Sequence, residues 1–328
     1  MSSLYQIVPL LNAHVEMSAL SAGLRNHIRA SGMPLPQDDN LLDYIAVSVR
    51  YGHSDAVLAV EDRRAVGVAA WWPEGRTGHI RLFYALPEAS PEVAGDLLDC
   101  AMKGLGERGA DAEVYAEIPA GPPHVHLALR KRGFVGVERL IMCVELSGQR
   151  WGVEAPPGYQ IQPWRDTYSD AAAEVIYQAN VGTLDAQIIP ELRTRKATRK
   201  IIGQTLKGRY GDFDRQASGV ALYQGDDVVA ATLATRRHSG QGFTAEICVL
   251  PAHRRRGLAR ALMHHTHAAF AAAGLGQSML GVTEGNIARR LYESLGYTVV
   301  GSVWTYVWPR PENWLGQQEG ASQVQPSD

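Results

Sequence analysis

The sequence predicts an α+β fold built twice: two tandem domains, each a mixed, mostly antiparallel β-sheet flanked by helices. Three observations predict it. The first is repetition in a fixed order. Tyr5-Gln6-Ile7-Val8-Pro9 returns as Tyr159-Gln160-Ile161-Gln162-Pro163. Two apolar runs, Val57-Leu58-Ala59-Val60 and Ala65-Val66-Gly67-Val68, flank the polar turn Glu61-Asp62-Arg63-Arg64. This hairpin pattern returns 163 positions later as Val220-Ala221-Leu222-Tyr223 and Val228-Val229-Ala230-Ala231 around Gln224-Gly225-Asp226-Asp227. Both copies close at the same spacing of 163, on Arg132-Gly133-Phe134 and Leu295-Gly296-Tyr297. The second observation is that short strand-like apolar runs and helical spacings occur together within one copy. The third is the stretch from Ser147 to Gly158, whose Gly and Pro content suits a linker. A chain of 328 residues, at roughly 100–200 per domain, holds two cores.

The expected units are therefore residues 1–150, residues 151–312 and a polar tail, 313–328. The tail after Trp314 has no apolar period and is expected to be disordered or loosely docked. In the first copy a helix is expected from Asn12 to Ala30, ahead of the hairpin. In the second, a strand at Tyr159–Gln162 precedes helices at about Asp166–Asn180 and Pro190–Lys207. Strands follow at Gly219–Gln224, Val228–Arg236 and Gly242–Leu250. A helix from about Gly257 to Ala273 stops at Gly274 and Gly276, residues that favour helix ends. A strand at Gln277–Val282, a helix at about Ile287–Leu295 and a β segment at Tyr297–Trp308 complete the copy.

Composition excludes several classes. Lys and Arg number 32 against 34 Asp and Glu, for a net charge of -2, whereas a general nucleic-acid or anionic-membrane binder is usually basic. No apolar run approaches the ~18 residues of a membrane span. The N-terminus lacks the basic and apolar regions of a secretory signal. Cys100, Cys143 and Cys248 are too widely spaced for a disulfide framework or a zinc motif. A cytoplasmic protein with no metal, nucleic-acid or membrane partner is the expectation.

The most informative segment runs from Ala245 to Met263. A β-rich run ends at Pro251, and the basic loop Ala252-His253-Arg254-Arg255-Arg256-Gly257 opens an Ala- and Leu-rich helix. Free N–H groups and the positive end of the macrodipole make such a helix start an anion site. Gly257 and Ala259 let a phosphate approach the backbone. Arg254, Arg255, Arg256 and Arg260 add full charges.

Here the sequence resembles the GCN5-related N-acetyltransferase (GNAT) superfamily, which carries [Gln/Arg]-x-x-Gly-x-[Gly/Ala] after its fourth strand. The match is Arg254-x-x-Gly257-x-Ala259, with Leu258 between. The resemblance implies that this loop binds the pyrophosphate of acetyl-CoA. It also implies that the backbone of Ile247, Cys248 and Val249 holds the pantetheine arm. A second family motif, an Asn opening a helix and a Tyr four residues before Gly-[Phe/Tyr], is met by Tyr292 and Gly296-Tyr297. The resemblance makes Tyr292 the donor of a proton or hydrogen bond to the departing CoA thiolate. An ordinary Tyr near ~10 and thiol near ~8.5 make full transfer uphill by roughly 2 kcal/mol, so Tyr292 acts partly as a hydrogen-bond donor or has a lowered pKa. Asn286 stands six residues before Tyr292 rather than the usual seven, so it either caps the helix or also touches the cofactor.

Acceptor amines are protonated at neutral pH and must lose a proton before attack. Some family members carry a Glu where this chain has Gly281. Glu246 is the expected substitute base, directly or through water, ahead of Glu284 and His238. Tested against the repeat, the first copy lacks the markers. Leu86-Pro87 parallels Leu250-Pro251, but Glu88 and Glu92 follow in place of arginines, and Leu129 stands where Tyr292 does. Acids repel a diphosphate, so the first copy reads as a degenerate domain that binds no acetyl-CoA. One active half in a tandem resembles the mycothiol synthase-like acetyltransferases.

Other residues read more plainly. His264, His265 and His267 suit an exposed helix face, and His124 and His126 a loop. Trp71, Trp72 and Tyr84 suit core packing. Arg193, Arg195, Lys196, Arg199, Lys200, Lys207 and Arg209 suit a solvated helix face. The expected function is transfer of an acetyl group from acetyl-CoA to an amine, on a small molecule or peptide. The alternatives are a non-catalytic acyl-CoA-binding module and, less favoured by the net charge, an RNA binder using Arg254–Arg256.

Overall fold

Both hairpins form, and their turns show why. In the computed structural model, which describes residues 5–32, 41–119, 121–149, 151–152 and 154–316, Asp62 and Arg63 take positive φ of 44° and 66°. Gln224 and Gly225 do the same at 50° and 102°. Left-handed turn backbone matches the twist of the strands it joins.

The first half runs β1 (Gln6–Pro9), α1 (Ser18–Ala30), α2 (Leu41–Arg50), β2 (Asp55–Glu61), β3 (Arg64–Glu74), β4 (Thr77–Ala85), α3 (Pro91–Glu107), β5 (Glu113–Pro119), α4 (Pro123–Lys131) and β6 (Val135–Glu145). The second half runs β7 (Tyr159–Pro163), α5 (Ser169–Asn180), α6 (Leu184–Ile188), α7 (Arg195–Leu206), β8 (Asp212–Phe213), β9 (Gly219–Tyr223), β10 (Asp227–Arg236), β11 (Gly242–Val249), α8 (Leu258–Ala272), β12 (Gln277–Thr283), α9 (Ala288–Ser294) and β13 (Thr298–Trp308).

All the described strands join one sheet, in the order β1-β2-β3-β4-β5-β13-β6-β12-β11-β10-β9-β7, with β8 on the side of β10. The centre of that order is the decisive feature. The last strand of each half leaves its own neighbours and pairs with the other half. β13 lies antiparallel to β5, and β6 lies antiparallel to β12. The two exchanged strands also pair with each other, Val135 opposite Val307 and Cys143 opposite Thr298. A segment of the first half thereby becomes a wall of the second.

Most other pairings are antiparallel, but β4–β5 and β11–β12 are parallel and short. The β11–β12 pairing covers only Gly242 to Thr244 against Ser278 to Leu280. Beyond it the two strands part. An irregularity drives them apart: Leu233 faces Glu246 and Ala234 faces Thr244, so Ala245 bulges. β4 bulges likewise at Arg81, between Leu82 opposite Ala70 and Ile80 opposite Trp71. Helices pack directly on glycines beside these bends. A Cβ at Gly78 would stand 2.6 Å from Leu105, and one at Gly242 2.4 Å from Phe270.

Several expectations are corrected. His124 and His126 lie on α4, which starts at a favourable N-terminal proline, and not in a loop. The His264–His267 face is not exposed. His267 is fully buried, its Nε2 2.7 Å from the Tyr297 hydroxyl, and Trp151 of the linker stacks edge-on over it. The basic run from Arg193 to Arg209 is not simply solvated: Arg193, just before α7, pairs with Glu113, and Lys200 on α7 pairs with Glu74, both across the two halves. Helix α6 was not foreseen. Trp71 and Tyr84 are buried in the core as expected. The expected tail straddles the described limit: Leu315 is described, and residues 317–328 lie outside.

Candidate active site

Where β11 and β12 part, a cavity of about 1030 Å³ opens. Its walls come from β11, β12, the start of α8, α6, α9 and the exchanged strand β6. One end is the basic loop. Gly257 sits at the N-cap of α8 with φ 84°, a conformation that favours glycine. A Cβ there would lie 3.6 Å from Pro156 of the linker. The first N–H groups of α8 have no carbonyl one turn ahead, as at every helix start. Arg255, Gly257, Leu258, Ala259 and Arg260 line the cavity.

The arginines are not equivalent. Arg254 also lines the cavity, but its guanidinium donates to the carbonyls of Val249 (3.1 Å) and Ala179 (2.8 Å), bracing the loop. Arg256 donates to the Tyr159 hydroxyl at 3.0 Å. Arg260 donates to Ser294 Oγ at 2.7 Å. Arg255, at φ 64°, is exposed, and among the described residues it makes no ion pair.

Along β11, the Leu250 N–H donates to the Val229 carbonyl at 2.9 Å. Amides alternate sides along a strand, so the Val249 and Ile247 N–H groups face away from β10, towards the gap. The Cys248 thiol donates to Glu246 Oε1 at 3.2 Å, and the Asn180 amide reaches the Cys248 sulfur at 3.5 Å. Burial pushes the thiol well above its ordinary pKa.

Glu246 is enclosed by protein except on its cavity side. Burial pushes its carboxyl up to about 7, although the Cys248 thiol, Arg139 and the Ile247 N–H all favour the charged form. The carboxyl is thus poised to hold or release a proton near neutrality. Glu246, the residue expected to act as base, lines the cavity. Glu284 is instead tied to Arg289 at 2.8 Å.

Tyr292 lines the cavity from α9, and among the described residues its hydroxyl has no hydrogen-bond partner. Burial, then the charge of Glu246, raises its pKa. The suggestion of a lowered Tyr292 pKa is therefore corrected, which leaves the hydrogen-bond-donor alternative. Asn286 caps α9: its Oδ1 accepts from the Ala288 N–H at 2.9 Å, while its Nδ2 donates to Asp185 at 2.9 Å.

Sequence reasoning missed Asp185, Asn180, Trp304 and Arg139, all on the cavity wall. A signal existed for Arg139. Glu138-Arg139 is a charged pair inside the otherwise apolar strand Val135–Val144. Among the described residues no helix is long and apolar enough to cross a membrane, and no group of three or more His, Cys, Asp or Glu is placed to hold a metal.

Comparison with known proteins bears on the second half first. Residues 216–299 match the model of the acetyltransferase (GNAT) domain. The second half carries a GNAT domain. That match points to acyl transfer from an acyl-CoA. Solved structures extend the likeness over both halves. A GCN5-related N-acetyltransferase from Sphaerobacter thermophilus superposes with a TM-score of 0.68 at 16% identity, covering 94% of this chain and 96% of that one. A tandem GNAT protein from the clavulanic acid biosynthesis pathway gives 0.56 at 15%, covering 92% and 98%. A glucosamine N-acetyltransferase region of a fungal multi-domain GH3 β-N-acetylglucosaminidase gives 0.62 at 13%, covering 92% and 38%. These identities establish a tandem GNAT fold. Among curated proteins none matches the sequence.

Proposed function

We propose that the second GNAT domain transfers the acetyl group of acetyl-CoA to an amine by direct attack on the thioester. The observation that carries this reading is the single cavity joining the start of α8 to Glu246 and Tyr292. The parts fit the substrate. The α8 N–H groups, Arg255 and Arg260 would take the diphosphate, and small residues at 257 and 259 leave it room. The gap-facing amides of β11 would pair with the pantetheine arm, as a third strand would. The Val249 N–H is placed to polarise the thioester carbonyl.

Glu246 takes a proton from the acceptor ammonium, directly or through a water. The freed nitrogen forms the C–N bond, the C–S bond breaks with CoA leaving as the thiolate, and the second proton of the nitrogen passes to that thiolate or to water. Tyr292, held protonated by its burial, donates a hydrogen bond to the departing sulfur. The first domain binds no acetyl-CoA in this reading and supplies walls.

The test is isothermal titration with acetyl-CoA followed by a thiol-release screen over an amine panel. Binding and amine-dependent CoA release are expected. Absence of binding at millimolar acetyl-CoA would overturn the reading. Binding without release from any amine would instead favour a non-catalytic acyl-CoA module.

A further inference from the structure

The cavity contains an uncompensated cation. Arg139 projects from the exchanged strand β6, opposite Thr283 of β12. Strand order sets it two strands away from β11, on the wall beyond β12. Its Nε is buried with no hydrogen-bond partner, and among the described residues the guanidinium makes no ion pair. A buried guanidinium donor with no acceptor is costly, and Arg presents a planar fork suited to a carboxylate.

The floor beneath it is a glycine. A Cβ at Gly281 would stand 3.7 Å from Arg139 Nη2. The guanidinium thus lies directly over bare backbone, with Ile141 3.9 Å from the same point.

Acids line the same cavity. Glu246 feels the charge of Arg139, yet no salt bridge joins them. Asp185 accepts from the Thr283 hydroxyl and from Asn286, both neutral donors. The same cavity thus offers Glu246 to an ammonium and Arg139 to a carboxylate. Glu138 also lines the cavity beside Arg139.

Building on the acetyl-transfer reading, we propose that the acceptor is a small amino carboxylic acid, its carboxylate held by Arg139 and its amine presented to Glu246. The first domain then contributes a specificity residue through strand exchange. The reaction converts R–NH3+ and acetyl-CoA to R–NH–CO–CH3, CoA and a proton. Its product is an N-acetylamino acid.

The experiment pairs each of the twenty α-amino acids with its carboxamide as acceptor, in wild type, Arg139→Gln and Arg139→Lys. In wild type at least one free acid should exceed its amide in kcat/KM. Arg139→Gln should lower that value roughly 30-fold, the scale of unpairing a desolvated charge, and lower the amide rate far less. Arg139→Lys should recover part of the loss. A readout independent of turnover is the thermal shift given by N-acetylamino acids to the CoA-saturated protein, expected in wild type and absent in Arg139→Gln. Amides used as well as acids, or an equal loss on both, would overturn the carboxylate assignment while leaving acetyl transfer intact. Weaker acetyl-CoA binding by Arg139→Gln would reassign the guanidinium to the other substrate and overturn it too. Failure to bind acetyl-CoA at all would strike the acetyl-transfer reading first.

Discussion

The two halves bend their sheets in the same way and use the bend differently. Each has a short parallel pair, a bulge and a helix packed on a glycine. In the second half the strands part around a cavity. In the first, side chains close the corresponding region. His27 stacks on Tyr84 with ring centroids 5.2 Å apart and lies 3.1 Å from the Pro119 carbonyl. His126 accepts from the Gly121 N–H and donates to the Tyr306 hydroxyl at 2.9 Å. Leu82 and Tyr84 occupy the strand positions that Glu246 and Cys248 hold in the second half, counted from the matching bulges. Leu129, fully buried, replaces Tyr292. The difference teaches that the bulge makes room for a ligand, but side-chain identity decides whether a ligand or the chain itself fills it.

The largest expected effect breaks the comparison at its chemistry. Glu246→Gln removes the group that Leu82 already lacks in the first half. It should lower kcat by about 10²–10⁴-fold, the usual worth of a general base, and abolish the acidic limb near pH 7. Rate–pH profiles check this, and an unchanged limb would exclude Glu246 as the base.

A second change breaks the loop. Gly257→Val installs the residue found at the matching position, Val93. A branched side chain at φ 84°, facing Pro156, costs about 1–2 kcal/mol of backbone strain and crowds the phosphate approach. Acetyl-CoA affinity should fall at least tenfold by titration, with the circular dichroism spectrum kept.

The smallest effects are in stability against pH, where the halves should slope oppositely. Burial raises Glu246 from 4.5 to about 7, so its contribution is present below about 4.5 and lost as pH rises through about 7. Burial, aided by Arg130, lowers His126 from 6.5 to about 4, so its contribution is present above 6.5 and lost as pH falls through about 4. In thermal melts, Glu246→Gln should gain Tm on wild type at pH 8 and lose that advantage by pH 4.5. His126→Gln should be less stable than wild type at pH 7, with the gap narrowing towards pH 4. Gaps that do not change with pH would refute both assignments.

The strands and helices of the second half were legible because each stretch carries its own period and stop signals. Gly274 ends α8 and Pro251 ends β11 within a residue or two of the expected places. The basic loop was legible because its residues adjoin in the chain. His267 was misread because α8 is covered on that face by Trp151, which arrives from the linker. Helix α6 was missed because five residues are too few to show a period. Arg193 and Lys200 were misread because their partners, Glu113 and Glu74, belong to the other half.

The sequence by itself determined the duplicated scaffold and the basic loop that opens a helix after β11, since these depend on local pattern and neighbouring chemistry. Only the tertiary structure decided that β6 crosses to β12 and brings Arg139 over Gly281. Pairing of distant strands is settled by which faces can be buried together, and that leaves no periodic trace along the chain. The same holds for the proton affinity of Glu246, which is set by the loss of water around it.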